Sequence, residues 1–170
     1  MNVFEAIRFR RSIRKFKPTP VEKEKIWRIL EAGRLAPSAH NMQPWHFFVI
    51  TEESAKKKLR EAFNRDWFIN APIILVTCVD PDKAWVRSDG EEYWKVDAAI
   101  AIQNMVLCAT EEGLGTCWIG AFDEKAAKNA LGIPPNIRVV ALTPLGYPDE
   151  KKEKVSNRKP LEEITHFNCW

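Results

Sequence analysis

The spacing of apolar residues along the chain predicts helices and strands in an irregular alternation. Continuous apolar runs indicate strands at Trp45–Thr51, Ile73–Asp80 and Ile137–Leu145. Five other segments are predicted to be helices. The predicted helices are a short one containing Val3, Phe4 and Ile7, one from Thr19 to near Ala36, a charged one containing Leu59, Ala62 and Phe63, Tyr93–Thr110, and Asp123–Leu131. Because no regular strand–helix–strand repeat is present, the predicted class is α+β.

The second predicted helix has a strong start signal. Thr19 is suited to be its N-cap, Pro20 fits the first helical position, and Glu22 completes a capping box. The helix must end near Ala36, because Pro37 disfavours a helical conformation at the residue before it.

The Tyr93–Thr110 segment is apolar around nearly its whole circumference. A helix of that kind is buried on several sides, either in the core or between subunits. Gly113 and Gly115 follow and favour its termination. A short strand or turn containing Trp118 is predicted next.

Two polar stretches are predicted to lie at the surface. Lys56–Lys58 is most simply the solvated face of its helix. Pro81–Glu92 has no clear period and is predicted to be a surface loop or a lid. The aromatic residues Trp85, Tyr93 and Trp94 are suited either to stack on a planar substrate or to pack within the protein.

The composition changes beyond Tyr147. Lys151–Lys154 is too polar to add to a core, yet Phe167 and Trp170 close the chain. We therefore expect one domain, residues 1–155, followed by a C-terminal arm, residues 156–170, that docks on another surface.

The composition excludes several classes of protein. The chain has 170 residues, of which 45% are hydrophobic and 29% charged, which excludes a disordered or collagen-like chain. A net charge of +3 is small for a nucleic-acid-binding domain. No apolar run approaches the roughly 20 residues that span a membrane, so we expect a cytoplasmic protein. The four cysteines are widely separated, and no metal site is expected.

Arg10–Arg14 concentrates three guanidinium groups and one hydroxyl within five residues. The planar fork of donors on arginine suits a phosphate or a carboxylate. A solvated run of charge is the competing interpretation of this segment.

Pro37–Trp45 holds Ser38, Asn41 and Gln43 between two prolines. The prolines restrict the loop, so its polar groups are suited to recognise a polar heterocycle, although a plain helix-to-strand connection has the same pattern. Gly113–Gly120 allows a backbone to approach a flat ligand closely. No nucleophile with a matching base stands out, which favours a cofactor that performs the chemistry itself.

Together these segments resemble the nitroreductase family of flavin enzymes. RRSIR at Arg10–Arg14, PSAHNMQPWHF at Pro37–Phe47 and GLGTCWIG at Gly113–Gly120 occur in the family's order and approximate spacing. NRKPLEE at Asn157–Glu163 is similar to its C-terminal signature. The resemblance covers essentially the whole chain. It implies a central mixed β-sheet flanked by helices, and FMN bound non-covalently at the interface of an intertwined homodimer.

The resemblance also implies roles for individual residues. Arg10, Arg11 and Ser12 would hold the phosphate and ribityl end of FMN, and Arg158 would close over the phosphate from the arm, which wraps the partner subunit. Arg14 stands where the family keeps a cation near flavin N1 and O2. The implied contacts to the flavin ring are Ser38, Asn41 and Gln43 from the other subunit, and Trp118, Ile119 and Gly120 along the ring, with backbone amides near N5 or O4.

The implied activity is that of an FMN-dependent oxidoreductase. NAD(P)H would deliver a hydride to the flavin, and a flat acceptor, nitroaromatic or quinone-like, would then take the electrons in a ping-pong mechanism. Arg14 would tune the ring, and no protein residue is assigned as a catalytic group. Family members with other lids remove halogen from iodotyrosine, fragment flavin or oxidise heterocycles, so the lid leaves the acceptor open.

Two other classes of function compete with this one. A flavin-binding protein without efficient turnover would not be bleached by NADH or NADPH at a useful rate. A small basic domain that binds nucleic acid through its N-terminal arginines would show salt-dependent binding to DNA.

Overall fold

The computed structural model describes all 170 residues and places a four-stranded sheet between two layers of helices. The strands are β1 (Trp45–Ile50), β2 (Ile73–Val79), β3 (Gly115–Thr116) and β4 (Arg138–Gly146). The helices are α1 (Val3–Phe9), α2 (Lys23–Arg34), α3 (Glu53–Lys58), α4 (Asp66–Ile69), α5 (Trp94–Glu111) and α6 (Glu124–Leu131). Short 3-10 turns occupy Ala39–Asn41, Leu59–Glu61, Pro81–Lys83 and Leu161–Glu163. The predicted α+β class is confirmed.

The strands lie in the order β1-β2-β4-β3, and every neighbouring pair is antiparallel. Trp45 lies opposite Val79 at one end of the β1–β2 pair, and the β2–β4 register shifts after Thr77. The sheet therefore differs from the mixed sheet that the resemblance implies. Its one parallel pairing is an isolated bridge between Ser12 and Thr116, because the N-terminal segment meets β3 without forming a full strand.

Strand β2 is buried along its whole length. Its side chains alternate between two apolar clusters, as the period of a strand requires. Ile74, Val76 and Cys78 pack on the face covered by α4 and α6. Ile73 and Leu75 pack on the opposite face, against α2 and α5. The continuous apolar run in the sequence thus reflects a central strand with helices on both sides.

The start of α2 differs from the prediction. The helix begins at Lys23, and Glu22 is its N-cap residue without a side-chain capping bond. The Glu22 carboxylate instead accepts a 2.6 Å hydrogen bond from the hydroxyl of Tyr147. Thr19 and Pro20 therefore lie before the helix, because a tertiary contact has taken the side chain that the capping box required.

Lys56 contradicts the predicted solvated face of its helix. Its side chain is buried, with Nζ 3.0 Å from the carbonyl oxygen of Ala71 and 2.6 Å from the Glu53 carboxylate. Lys57 and Lys58 are exposed as predicted. The long aliphatic stem lets Lys56 cover apolar surface while its ammonium group caps a carbonyl of the turn before β2.

The N-terminal segment is attached to β3 through a close approach between Ile13 and Gly115. The amide of Ile13 donates to the carbonyl of Thr116 at 2.8 Å. A methyl group on Gly115 would lie 2.7 Å from Cγ1 of Ile13. Only glycine leaves room for Ile13, so this position fixes how the Arg10–Arg14 segment meets the sheet.

We predict that Gly115→Ala destabilises the protein by about 1–3 kcal/mol, because Ile13 must move out of a well-packed position. Urea denaturation measures the free energy of unfolding. Gly120→Ala is the matched control, since a methyl group there has its nearest neighbour at 3.8 Å, the indole nitrogen of Trp118. Equal stability of the two variants would contradict the proposed steric role of Gly115.

Candidate functional site

A basic cavity lies where the two ends of the chain meet. Arg10 and Arg158 line this space of about 430 Å³, together with Arg8, Lys154 and Gln103. None of its four cations forms an ion pair within the chain. Uncompensated positive charge of this density suits a phosphate group, whose charge and acceptor oxygens match arginine.

Two of the four cations that line the cavity, Arg8 and Lys154, were not predicted from the sequence. The Arg8 guanidinium lies 5.9 Å from the centre of the Phe4 ring, and Lys154 Nζ lies 5.1 Å from that of Phe9. Both aromatic rings are on α1 or at its end, which places the two charges beside the cavity. The available signal was the helical spacing between Phe4 and Arg8, which lie four residues apart.

The Arg10–Arg14 segment is clamped between β3 and the segment that follows β4. Lys152 Nζ donates to the carbonyl of Ser12 at 2.8 Å, and the amide of Arg14 donates to Glu150 Oε1 at 2.5 Å. Lys152 and Glu150 also form an ion pair at 3.4 Å. Contacts from residues more than a hundred positions away therefore set the backbone path of the arginine segment.

The charge of Glu150 belongs to this clamp. Partial burial opposes the charged carboxylate, but the Arg14 amide and the Lys152 ammonium outweigh it and lower the pKa of Glu150. A carboxylate whose pKa is lowered by folding stabilises the protein above its unfolded pKa and loses that contribution as the pH falls through the folded value. The clamp is therefore complete at neutral pH.

The arginine side chains of this segment separate. Arg10 lines the basic cavity, whereas Arg11 and Arg14 do not. The Arg14 guanidinium lies 5.9 Å from the centre of the Trp67 ring. The structure thus brings Arg10 and Arg158 together and places Arg14 on another part of the surface.

The Ser38–Gln43 loop forms a compact turn with its own hydrogen bonds. Ser38 Oγ accepts the amide of Gln43 at 2.9 Å, and Gln43 Nε2 donates to the carbonyl of Asn41 at 3.1 Å. His40, Asn41 and Gln43 have φ values of 52°, 55° and 49°. Each non-glycine residue in this left-handed region costs roughly 1–3 kcal/mol unless the surroundings hold it there. Strain of this kind is typical of segments that take part in function.

A buried carboxylate on α5 accepts a hydrogen bond from the Ser38–Gln43 loop. Asp97 of α5 is 1% exposed, and its Oδ1 accepts the amide of Ala39 at 2.9 Å. Burial raises the pKa of Asp97, and the hydrogen bond from Ala39 partly offsets that rise. The role of Asp97 could not be predicted from the sequence, because an acidic residue in an apolar helix carries no sign of what it contacts.

The Pro81–Glu92 segment is a loop, as predicted, and contacts the Ser38–Gln43 loop. Trp85 stacks on His40 with ring centres 5.3 Å apart and meets Tyr93 edge-on at 4.9 Å. A bridge between Val86 and Glu92 closes the segment into a hairpin-like turn. Trp85 and Tyr93 therefore pack with each other in this structure.

The Trp118–Gly120 segment runs beside β4 beyond the end of β3. Ile119 is buried, and its amide and carbonyl both pair with Leu142, at 3.0 and 3.1 Å. The Ile119 amide is therefore not free for a flavin. Trp118 is 41% exposed, Gly120 is exposed, and their amides donate to no acceptor in the chain.

Within one protomer, the implied cofactor residues fall into separate groups. Arg10 and Arg158 share the basic cavity. The Ser38–Gln43 loop and the Trp118–Gly120 segment line other surfaces and do not border that cavity. The chain contains no group of side chains that could hold a metal ion, and no helix of it is long and apolar enough to span a membrane.

Comparison with known proteins gives a consistent family. The model of the nitroreductase family matches residues 7–71 and 60–147. An NADPH-flavin oxidoreductase from Vibrio harveyi is 33% identical, over 99% of this chain and 75% of the relative. A nitroreductase family protein from Clostridium difficile is 32% identical over all of both chains, with a TM-score of 0.93. An FMN-dependent nitroreductase from the same species is 33% identical, covers 95% of this chain and 96% of its own, and has a TM-score of 0.79.

The fold is therefore that of the flavin-dependent oxidoreductases. The chain is a member of the nitroreductase family. This confirms the predicted family, and at the level of the family it confirms an NAD(P)H-dependent oxidoreductase with FMN as cofactor.

Proposed function

We propose that this enzyme holds the phosphate of FMN in the basic cavity and reduces a flat acceptor, nitroaromatic or quinone-like, by a ping-pong mechanism. The proposal rests on the four cations that line this cavity and form no ion pair within the chain. When bound, FMN supplies the transfer of two electrons from NAD(P)H to the acceptor. The name of the Clostridium difficile FMN-dependent nitroreductase supports this choice of acceptor.

The residues of the cavity fit the phosphate end of FMN. Arg10 and Arg158 offer paired donors to phosphate oxygens, and Arg8 and Lys154 add positive charge at the rim. We assign Arg11 and Ser12 to the adjacent ribityl chain. The backbone of Ser12 is already fixed by Lys152, so its hydroxyl is presented from a defined position.

Arg14 is assigned to the flavin ring. Its guanidinium takes part in no ion pair within the chain, so its charge is not neutralised by a carboxylate. A fixed cation near N1 and O2 favours the reduced flavin, because negative charge develops there on reduction. The clamp on the Arg14 amide fixes the backbone from which this side chain extends.

Two further segments are assigned to the ring. Asn41 and Gln43 are exposed polar residues of the strained loop, which Ser38 stabilises. Trp118 and Gly120 offer unpaired amides, and Ile119 supports them through its pairing with β4. Neither segment borders the basic cavity within one protomer, and this supports a site completed by a second subunit.

We propose a homodimer in which the arm, residues 156–170, wraps the partner. Every residue of the arm is exposed in the single protomer, and Phe167 and Trp170 are 83% and 101% exposed. Apolar residues of α1 are also exposed, including Val3 at 72% and Phe4 at 66%. Exposed apolar area of this extent is typical of a surface that another chain covers.

We predict that the purified protein is yellow and that anaerobic NADH or NADPH bleaches its visible flavin absorbance, which a nitroaromatic or a quinone then restores. Stopped-flow absorbance measures both half-reactions, and the heat-released cofactor is identified by chromatography. A yellow protein that neither nicotinamide reduces would instead be a flavin-binding protein without turnover. A protein that takes up no added FMN would contradict the assigned site.

We predict that Arg10→Ala weakens FMN binding about 10-fold or more, because a charge-assisted contact to phosphate is lost. Riboflavin, which lacks the phosphate, should bind this variant and the wild type equally. Quenching of flavin fluorescence measures both affinities. Arg65→Ala, at an exposed arginine that does not line the cavity, is the control. Equal losses for FMN and riboflavin would contradict a phosphate contact.

We predict that deletion of the residues after Val155 weakens dimerisation and FMN binding together, because one arm serves both. Sedimentation velocity and flavin titration measure the two effects. Arg158→Ala separates them, since it should weaken FMN binding and leave the dimer intact. A truncated chain that stays dimeric and binds FMN with unchanged affinity would contradict the proposed role of the arm.

A further inference from the structure

The carboxylate of Asp97 is fully buried and has only one hydrogen-bond partner in the chain. Oδ1 accepts the amide of Ala39, whereas Oδ2 has no hydrogen-bond partner in the chain. A buried carboxylate with so few partners is expensive to keep. Its single bond reaches the loop that carries Ser38, Asn41 and Gln43, so the contact that offsets this cost also fixes that loop.

The loop needs an external support. His40, Asn41 and Gln43 lie in the left-handed region, and none of them is a glycine. The bond from Ser38 Oγ to the Gln43 amide closes the turn but lies within it. Ala39 is the point at which the turn is attached to α5, and Asp97 is the residue that attaches it.

The same anchor is part of a closed chain of contacts that includes the lid, residues 81–92. His40 of the loop stacks on Trp85 of the lid, and the carbonyl of Trp85 accepts the amide of Tyr93 at 3.1 Å. The carbonyl of Tyr93 accepts the amide of Asp97 at 2.9 Å, in the first turn of α5. Loop, lid and helix end therefore meet around Asp97.

We propose that Asp97 is a positioning residue that holds the Ser38–Gln43 loop ready for the flavin ring and joins it to the lid. The proposal rests on the proposed function, because it takes that loop to contact FMN. Asp97 does not touch the cofactor itself. Its effect is to hold a strained turn in place before binding, so that FMN does not have to select a minor conformation.

The direct test needs no cofactor. Amide hydrogen exchange, measured by mass spectrometry on the protein without flavin, reports protection of residues 38–43. We expect Asp97→Ala to lose protection there, and Asp97→Asn to retain it, because the amide oxygen of asparagine still accepts the Ala39 bond. Lys56→Met is the control: it removes another buried charge and should lower stability without changing exchange in the loop.

A second variant tests the connection to the lid. His40→Ala alters an exposed side chain, so the fold is retained even if Asp97→Ala does not fold. We expect faster exchange both in the loop and at the amide of Tyr93, which pairs with Trp85. Unchanged exchange at the Tyr93 amide in His40→Ala would contradict the proposed connection between loop and lid. Unchanged loop exchange in Asp97→Ala would contradict the proposed positioning role of Asp97.

Flavin titration then links the anchor to binding. We expect Asp97→Ala to bind FMN about 10-fold more weakly, Asp97→Asn to restore most of the affinity, and Lys56→Met to match the wild type. The visible spectrum of the bound flavin should change in Asp97→Ala alone, since the ring environment differs. Wild type that binds no FMN would refute the proposed function, whereas loop exchange would still decide the role of Asp97. Wild-type affinity in Asp97→Ala would refute the positioning role.

Discussion

The fold depends on burying strand β2 on both faces. A strand with apolar residues at every position cannot leave either face in water, so the chain must supply two helical layers. The α2 and α5 pair covers one face, and α4 and α6 cover the other. Strands β1 and β4 occupy both hydrogen-bonding edges of β2. Once this arrangement exists, the positions of the loops that leave the sheet are limited to a few.

The basic cavity is built on that frame by the two ends of the chain. Arg10 follows α1, whereas Lys154 and Arg158 come after β4. Like charges held this close repel one another, and the cost falls when an anion binds between them. The close contact between Ile13 and Gly115, together with the clamp through Glu150 and Lys152, fixes the backbone of the segment that carries Arg10.

The loop beside the first turn of α5 is under a different constraint. An exposed loop of six residues has little packing to fix its backbone. The strained Ser38–Gln43 turn is held by Asp97 from below and by Trp85 from the side. A buried carboxylate serves here because it accepts a backbone amide strongly in a region that water does not reach.

Much of this architecture follows from the sequence alone. The apolar runs of β1, β2 and β4 and the helical segments between them follow no regular strand–helix–strand repeat, and this predicts the α+β class. The residue types of the arginine segment suit a phosphate, and those of the proline-bounded loop suit a polar heterocycle. FMN itself is implied by the resemblance of these segments to the nitroreductase family. The tertiary structure decided what depends on contacts between distant residues. The Glu22 carboxylate bonds to Tyr147 and forms no capping box, and Lys56 is buried with its ammonium group bonded to the carbonyl of Ala71. The tertiary structure likewise brought Arg8 and Lys154 to the cavity and Asp97 beneath Ala39. The local sequence around a residue indicates its preference for helix, strand or turn. It does not indicate which distant residue folding places beside it.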